Sequence, residues 1–124
     1  MDIIISNSGD VPIYEQIVRQ LKGLILRGEL KAGEVLPSMR ILARELRISV
    51  ITTKRAYEEL EREGFVTSVP GKGCFVTAQD PALAREDTLR RAEEHLSRAV
   101  DVARTGGVTL EELEQILAIL FGDE

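Results

Sequence analysis

Residues 36–77 decide the fold of this chain, and their sequence is LPSMRILARELRISVITTKRAYEELEREGFVTSVPGKGCFVT. Apolar residues at helical spacing predict a short helix that begins near Pro37-Ser38, where the serine hydroxyl can cap free backbone N–H groups. A turn capped by Ser49 separates it from a second helix. That helix ends at Gly64, a residue type suited to the left-handed position beyond a helix end. The stretch therefore predicts two short helices joined by a tight turn.

The same stretch closes with two runs that favour β-structure. Residues 65–69 and 74–77 are rich in Val, Phe and Thr, and they flank the turn sequence Pro70-Gly71-Lys72-Gly73. This pattern predicts a hairpin with a small cationic tip, which is called a wing. A helix-turn-helix followed by a wing forms a winged-helix module, whose second helix can enter the major groove of DNA.

Several short motifs in this part of the chain form one joint pattern. They are Pro37-Ser38, Arg40, Leu42-Ala43, Thr52, Arg55-Ala56-Tyr57, Leu60-Glu61, Glu63-Gly64, Gly71-Lys72-Gly73 and Phe75-Val76. Together they resemble the DNA-binding domain of the GntR family of bacterial transcription regulators, over about residues 10–78. Three residues depart from that family's pattern. Ile51 stands where a polar residue, often Asn, is usual, Thr53 where Val is usual, and Cys74 where Ser or Thr is usual.

DNA binding needs cations that neutralise phosphates and side chains that reach base edges. The resemblance implies that Arg40 contacts DNA, and an arginine bound to guanine is the commonest specific contact. Val50, Ile51 and Thr53 can offer apolar contact to thymine methyl groups. The predicted DNA-binding residues are Ser38, Arg40, Arg44, Ser49, Val50, Ile51, Thr52, Thr53, Lys54, Arg55, Gly71 and Lys72.

Some of these residues have an alternative role. Arg55 could instead pair with Glu58, Glu59 or an acid that flanks the core, and Lys72 could be a solvated turn lysine. Tyr14 could meet the DNA backbone or the base of the wing, or it could be an ordinary packing residue.

The net charge of −5 is unevenly distributed. Residues 1–80 hold 11 Lys or Arg and 11 Asp or Glu, whereas residues 81–124 hold 5 and 10, so the excess acid lies in the second part. Residues 37–57 contain five basic residues and one acid, a local charge of +4. The acidic isoelectric point therefore does not exclude DNA as a partner.

The remaining parts before residue 36 predict a helix, a short strand and an arm. Residues 11–27 form an amphipathic pattern with Pro12 at the start and Gly28 after the end. Val35-Leu36 can form a short strand that pairs with the wing. The apolar arm Ile3-Ile4-Ile5 is expected to pack on its own core or on a partner subunit, or to fray.

Residues 79–124 predict a tail of two helices. Asp80-Pro81 suits the start of the first helix, and Gly106-Gly107 ends it. Thr109 and Glu112 form a capping box that opens the second helix. Two such helices need a further surface to bury their apolar stripes, which is either the winged-helix domain or, as we prefer, an identical copy. The expected dimer-interface residues are Leu89, Ala92, Leu96, Ala99, Val100, Ala103, Leu113, Ile116, Leu117 and Leu120. The short tail also resembles the YtrA-like subfamily, in which such a tail dimerises the protein.

The residue inventory does not favour an enzyme or a metal site. Gly71-Lys72-Gly73 lacks the spacing of a phosphate-binding loop and precedes a strand instead of a helix. His95 is the only histidine and Cys74 the only cysteine, so neither a metal-ligand set nor a catalytic pair is apparent. Ile3-Ile4-Ile5 is too short for a signal peptide, so we expect a cytoplasmic location. We also expect no membrane span, because no stretch approaches transmembrane length, and no cofactor.

The sequence thus predicts a mainly α protein with a small β-wing. A winged helix-turn-helix domain, residues 1–78, is followed by a two-helix dimerisation tail, residues 79–124. We expect a homodimeric, sequence-specific regulator, most simply a repressor, on an inverted-repeat operator in double-stranded DNA. The alternative is a winged helix that serves as a protein-interaction adaptor. The resemblance also permits a small-molecule effector, to which the sequence assigns no residues.

Overall fold

The computed structural model describes residues 2–7 and 9–122, and this part of the chain contains five helices and a two-stranded antiparallel sheet. The elements are α1 (Ile13–Leu26), α2 (Met39–Leu46), α3 (Val50–Arg62), β1 (Val66–Val69), β2 (Gly73–Val76), α4 (Pro81–Gly106) and α5 (Leu110–Phe121). The predicted fold class, mainly α with a small β-wing, is confirmed. The chain divides into two compact units, of which one ends at Pro81 and the other begins at Ala82.

The core of the first unit forms where α1, α2 and α3 meet the base of the sheet. Helix α3 buries Ala56, Tyr57 and Leu60 at helical spacing, and α1 buries Ile17 and Leu21 against the same core. The buried cluster consists of Ile17, Val18, Leu21, Ile25, Leu36, Leu42, Ala56, Tyr57, Leu60, Phe65, Val66, Cys74 and Val76.

The N-terminal arm lies along α1 and packs on its own core, which is one of the predicted arrangements. Gln20 uses its side-chain amide to bind both backbone groups of Ile4, at 2.9 and 2.7 Å, and Gln16 binds Ser6 in the same way, at 2.9 and 2.8 Å. Ile3 and Ile5 pack against the buried cluster.

The ends of α2 and α3 have the predicted capping residues. The Ser38 hydroxyl accepts a hydrogen bond from the Ile41 N–H at 3.1 Å, and the Ser49 hydroxyl accepts one from the Thr52 N–H at 3.1 Å. Between the two helices, Arg47 has a φ of 57° and is the only non-glycine residue with positive φ in the described part of the chain. This left-handed residue produces the sharp turn between α2 and α3.

The wing is a hairpin in which β1 pairs with β2 from Val66↔Val76 to Val69↔Gly73. Its tip is closed by a hydrogen bond from the Lys72 N–H to the Val69 carbonyl at 2.9 Å, and Gly71 has a φ of +77°. Pro70 followed by a glycine of positive φ matches a type II turn. Val35 bridges to Phe75, so the predicted short strand before α2 does pair with the wing.

Two polar side chains of α3 reach the backbone near the start of α2. The Tyr57 hydroxyl donates to the Pro37 carbonyl at 2.8 Å. The Thr53 hydroxyl lies 2.8 Å from the Val50 carbonyl and 3.3 Å from the Met39 carbonyl, and the whole Thr53 side chain is buried. The prediction that Thr53 contacts thymine is therefore wrong, because its methyl and hydroxyl groups face the core.

The second unit consists of α4 and α5. Thr109 and Glu112 form the predicted capping box at the start of α5. Ala103 is the only buried residue among residues 82–122, so, unlike the other predicted dimer-interface residues, it is already covered within the single chain. The described helices include none that combines the length and the apolar character needed to cross a membrane.

We expect Tyr57→Phe to lower the free energy of unfolding by about 1 kcal/mol, because the Pro37 carbonyl would lose its phenol donor. Tyr14→Phe is the matched control, since the Tyr14 hydroxyl has no hydrogen bond within the described residues and its ring would remain. Urea denaturation followed by far-ultraviolet circular dichroism measures both variants. Equal stability of the two would contradict a structural role for the Tyr57 hydroxyl.

Candidate nucleic-acid interface

An open groove of about 660 Å³ separates the start of α2 from the wing. Five of the predicted DNA-binding residues line it, namely Ser38, Arg40, Val50, Gly71 and Lys72. These residues are up to 34 positions apart in the chain, since the first is residue 38 and the last residue 72. The groove therefore brings together the first turn of α2, the first residue of α3 and the wing tip.

The electrostatics of the groove come from two cations. Burial raises the pKa of the Tyr57 phenol and of the Cys74 thiol, both of which line the groove, so both are uncharged at neutral pH. Among the described residues, Arg40 and Lys72 are the only charged ones that line it, and both are exposed. The groove is therefore cationic, as a site for a phosphate backbone must be.

The basic residues of the first unit differ in whether a nearby acid neutralises them. Of the six that lie outside residues 37–57, four have a carboxylate partner: Arg19 with Glu15, Lys22 with Glu63, Arg27 with Glu29, and Arg62 with Glu59.

The five basic residues of the helix-turn-helix behave differently. Within the part of the chain that the structure describes, none of Arg40, Arg44, Arg47, Lys54 and Arg55 has a carboxylate oxygen within 4 Å. Their charges are not neutralised inside the molecule and remain available to an anionic partner.

Arg55 is held by an aromatic ring instead of an acid. Its guanidinium carbon lies 3.8 Å from the centre of the Tyr14 ring, which projects from α1. The alternative prediction, a pair with Glu58 or Glu59, is not observed, and Glu59 binds Arg62. Sequence reasoning named both Tyr14 and Arg55 but did not link them, because only the packing of α1 against α3 brings them together.

The other predicted residues lie on the surface of the same two helices. Arg44, Ser49, Ile51, Lys54 and Arg55 are exposed, whereas Thr52 is partly buried. The Thr52 hydroxyl lies 2.9 Å from the Ser49 hydroxyl, so these two side chains bind each other at the start of α3. Of the predicted DNA-binding residues, only Thr53 is buried and cannot take part.

Sequence reasoning missed Tyr57 as a lining residue of the groove. Its ring lies in the core, but its hydroxyl reaches the backbone at the groove. The available signal was the residue type, because a buried tyrosine needs a hydrogen-bond partner and a phenylalanine does not.

The described residues contain no group of three or more His, Cys, Asp or Glu side chains that could hold a metal ion. Cys74 is a buried free thiol on β2. The chemistry that the exposed cations of the site can support is the binding of an anion.

Comparison with known proteins agrees with this geometry. The model of the family described as "Bacterial regulatory proteins, gntR family" matches residues 13–76, which include all of α1, α2, α3 and the wing. The chain is 35% identical over 121 residues to the HTH-type transcriptional repressor YtrA of Bacillus subtilis strain 168, covering 98% of this chain and 93% of that protein. Several other curated relatives are longer, and the chain spans 18% to 40% of their length.

Solved structures give the same result. A transcriptional antiterminator from Listeria monocytogenes EGD-e is similar with a TM-score of 0.77 and 30% identity, over 99% of this chain and 92% of that one. YtrA from Sulfolobus acidocaldarius, a GntR-family transcription factor, is similar with a TM-score of 0.59 and 36% identity, over 74% of this chain and 97% of that one. This chain therefore belongs to the GntR family of bacterial regulatory proteins, which are transcription regulators and not enzymes.

Proposed function

We propose that this protein is a transcriptional repressor that binds an inverted-repeat operator as a homodimer. The observation that carries the proposal is the set of five unpaired basic residues on α2, α3 and the turn between them, next to a groove bordered by the cationic wing tip. Repression of transcription is also the role that the name of the similar repressor YtrA gives for that protein.

In this proposal, the groove between α2 and the wing and the exposed side of α3 bind different parts of the DNA. Arg40 and Lys72 would lie on either side of the DNA backbone, and α3 would enter the major groove. Arg40 is close enough to the start of α3 to line the same groove as Val50, so it can reach a guanine edge beside that helix. Lys72 would add a phosphate or minor-groove contact from the wing tip.

The apolar surface of the second unit supports the homodimer. Leu89, Leu96, Val100, Ile116 and Leu120 are all exposed in the single chain, although they lie on the predicted apolar stripes. Two helices with a single buried residue, Ala103, cannot supply the burial that a stable unit requires. A second copy would cover these stripes, and residues 79–124 would then be the dimerisation tail.

A two-fold dimer would present its α3 helices to two identical half-sites. Half-sites about one turn of DNA apart, roughly 34 Å, would form an inverted repeat that matches the symmetry of the protein. The function is tested first by selecting bound duplexes from a random library with the purified full chain. An enriched inverted repeat would support the proposal, and the absence of any enriched sequence would contradict it.

On the selected operator, we expect Arg40→Ala to weaken binding by about 1–3 kcal/mol and to relax the base preference at one position of each half-site. Lys72→Ala should weaken binding to all sequences alike. The logarithm of the association constant falls as the logarithm of the salt concentration rises. For Lys72→Ala, the slope of this line should become less negative by about 1 for each phosphate that the variant no longer neutralises. Fluorescence anisotropy at several salt concentrations measures both effects.

Arg27→Ala is the matched control for these two variants. It also removes one positive charge from the first unit, but that charge is already paired with Glu29 at 2.9 Å. Arg27→Ala should therefore bind the operator like the parent protein. If Arg40→Ala and Lys72→Ala also bound like the parent, the assignment of the groove to DNA would be wrong.

We expect Leu96→Glu to shift the protein from dimer to monomer. Removing one buried leucine side chain from the interface costs about 1.5 kcal/mol or more, and a two-fold interface contains the residue twice. The dissociation constant of the dimer should then rise at least about 100-fold. Sedimentation equilibrium over a range of protein concentrations measures it.

Val102→Glu is the control for this variant. Val102 is exposed on the same helix but lies outside the predicted stripe, so its replacement should leave the dimer intact. A parent protein that remains monomeric at every concentration would refute the dimer directly. Equal weakening by both variants would mean that the interface uses another face of α4.

A further inference from the structure

The start of α3 exposes an apolar pair, Val50 and Ile51. The Ile51 side chain is 80% exposed and the Val50 side chain 44%. With 3.6 residues per turn, Ile51 lies opposite the side of α3 that carries the buried residues Thr53, Tyr57 and Leu60. Ile51 therefore contributes little to the core of the first unit, and the packing of that core does not explain an isoleucine at this position.

The polar groups in the same turn are engaged within the protein. The hydroxyls of Ser49 and Thr52 lie 2.9 Å apart, and Ser49 also accepts the Thr52 N–H. The Thr53 hydroxyl is buried and binds the Val50 carbonyl. Residues 50–53 also contain no Asn, Gln, Arg or Lys, which are the side chains that bind adenine or guanine edges with two hydrogen bonds. The first turn of α3 thus offers apolar surface in place of a bidentate donor.

Thymine is the base whose major-groove edge matches such a surface. It alone among the four DNA bases carries a 5-methyl group there, and branched aliphatic side chains make favourable apolar contact with it. We propose that Val50 and Ile51 recognise the 5-methyl groups of thymine in each half-site of the operator. The inference rests on the proposed function, since it assigns the bases that the recognition helix of that repressor would prefer.

The neighbouring cations support the placement of Val50 and Ile51 against the base edges. Arg55 lies one turn after Ile51 on the same side of the helix, and the Tyr14 ring holds its guanidinium at 3.8 Å. Lys54 is exposed next to it. An apolar residue flanked by exposed cations fits a major groove, in which base edges are bordered by phosphates.

Thymine-to-uracil substitution tests the proposal, because deoxyuridine lacks only the 5-methyl group and keeps the base pairing. In the selected operator, each thymine of a half-site is replaced in turn by deoxyuridine. For the parent protein, we expect about fourfold weaker binding for each methyl group that the pair contacts, at one or two positions of each half-site. Substitution at the remaining thymines should leave the affinity within twofold of the unmodified operator.

Ile51→Ala completes the comparison. This variant should bind the thymine and the uracil operators within twofold of each other at the position that Ile51 contacts, because the isoleucine side chain that meets the methyl group is gone. Ile4→Ala is the matched control. Ile4 is 77% exposed on the arm that Gln20 holds against α1, so its variant should keep the sensitivity of the parent protein. Thermal melting verifies that both variants are folded.

The outcomes separate this inference from the proposed function. An operator whose affinity does not change with any uracil substitution would overturn the inference, as would an Ile51→Ala variant that keeps the full uracil effect. In both cases the protein would still be a sequence-specific DNA-binding regulator. A library selection that enriches no sequence would overturn both proposals.

Discussion

The hydrogen bond from the Tyr57 phenol to the Pro37 carbonyl is the contact on which the groove-facing side of the first unit depends. At 2.8 Å, it joins the middle of α3 to the residue that precedes the cap of α2. About one turn earlier, the Thr53 hydroxyl donates at 2.8 Å to the Val50 carbonyl of its own helix and lies 3.3 Å from the Met39 carbonyl. A buried polar atom without a partner is costly, so the Tyr57 bond favours one position of α2 relative to α3. Arg40, in the first turn of α2, therefore extends from a fixed backbone.

The sequence predicts most of the local structure because local chemistry determines it. Hydroxyl caps at Ser38 and Ser49, and a glycine of positive φ at position 64, each depend on only a few residues of chain. The prediction for Thr53 is wrong because a threonine suits both a base contact and a core position. The helical period groups it with Tyr57 and Leu60, which are core residues.

The contacts between distant side chains could not be predicted in this way. Arg55 has two acidic neighbours within four residues in sequence, yet it stacks on Tyr14 of α1. The partner of a surface charge depends on how the helices pack, and surface ion pairs contribute too little energy to dictate that packing. The groove could not be predicted from local sequence either. The wing approaches α2 through a bridge between Val35 and Phe75, which are distant in the chain.

The structure separates the residues that stabilise the first unit from those that would recognise DNA. Tyr57 and Leu60 are buried, and changes at such positions are limited by packing and by hydrogen bonds. Ile51 faces outward, and surface residues without internal contacts can change at little cost in stability. Ile51 therefore stands at a position where the fold imposes little constraint. A common fold can then carry different base preferences through substitutions at the exposed start of α3.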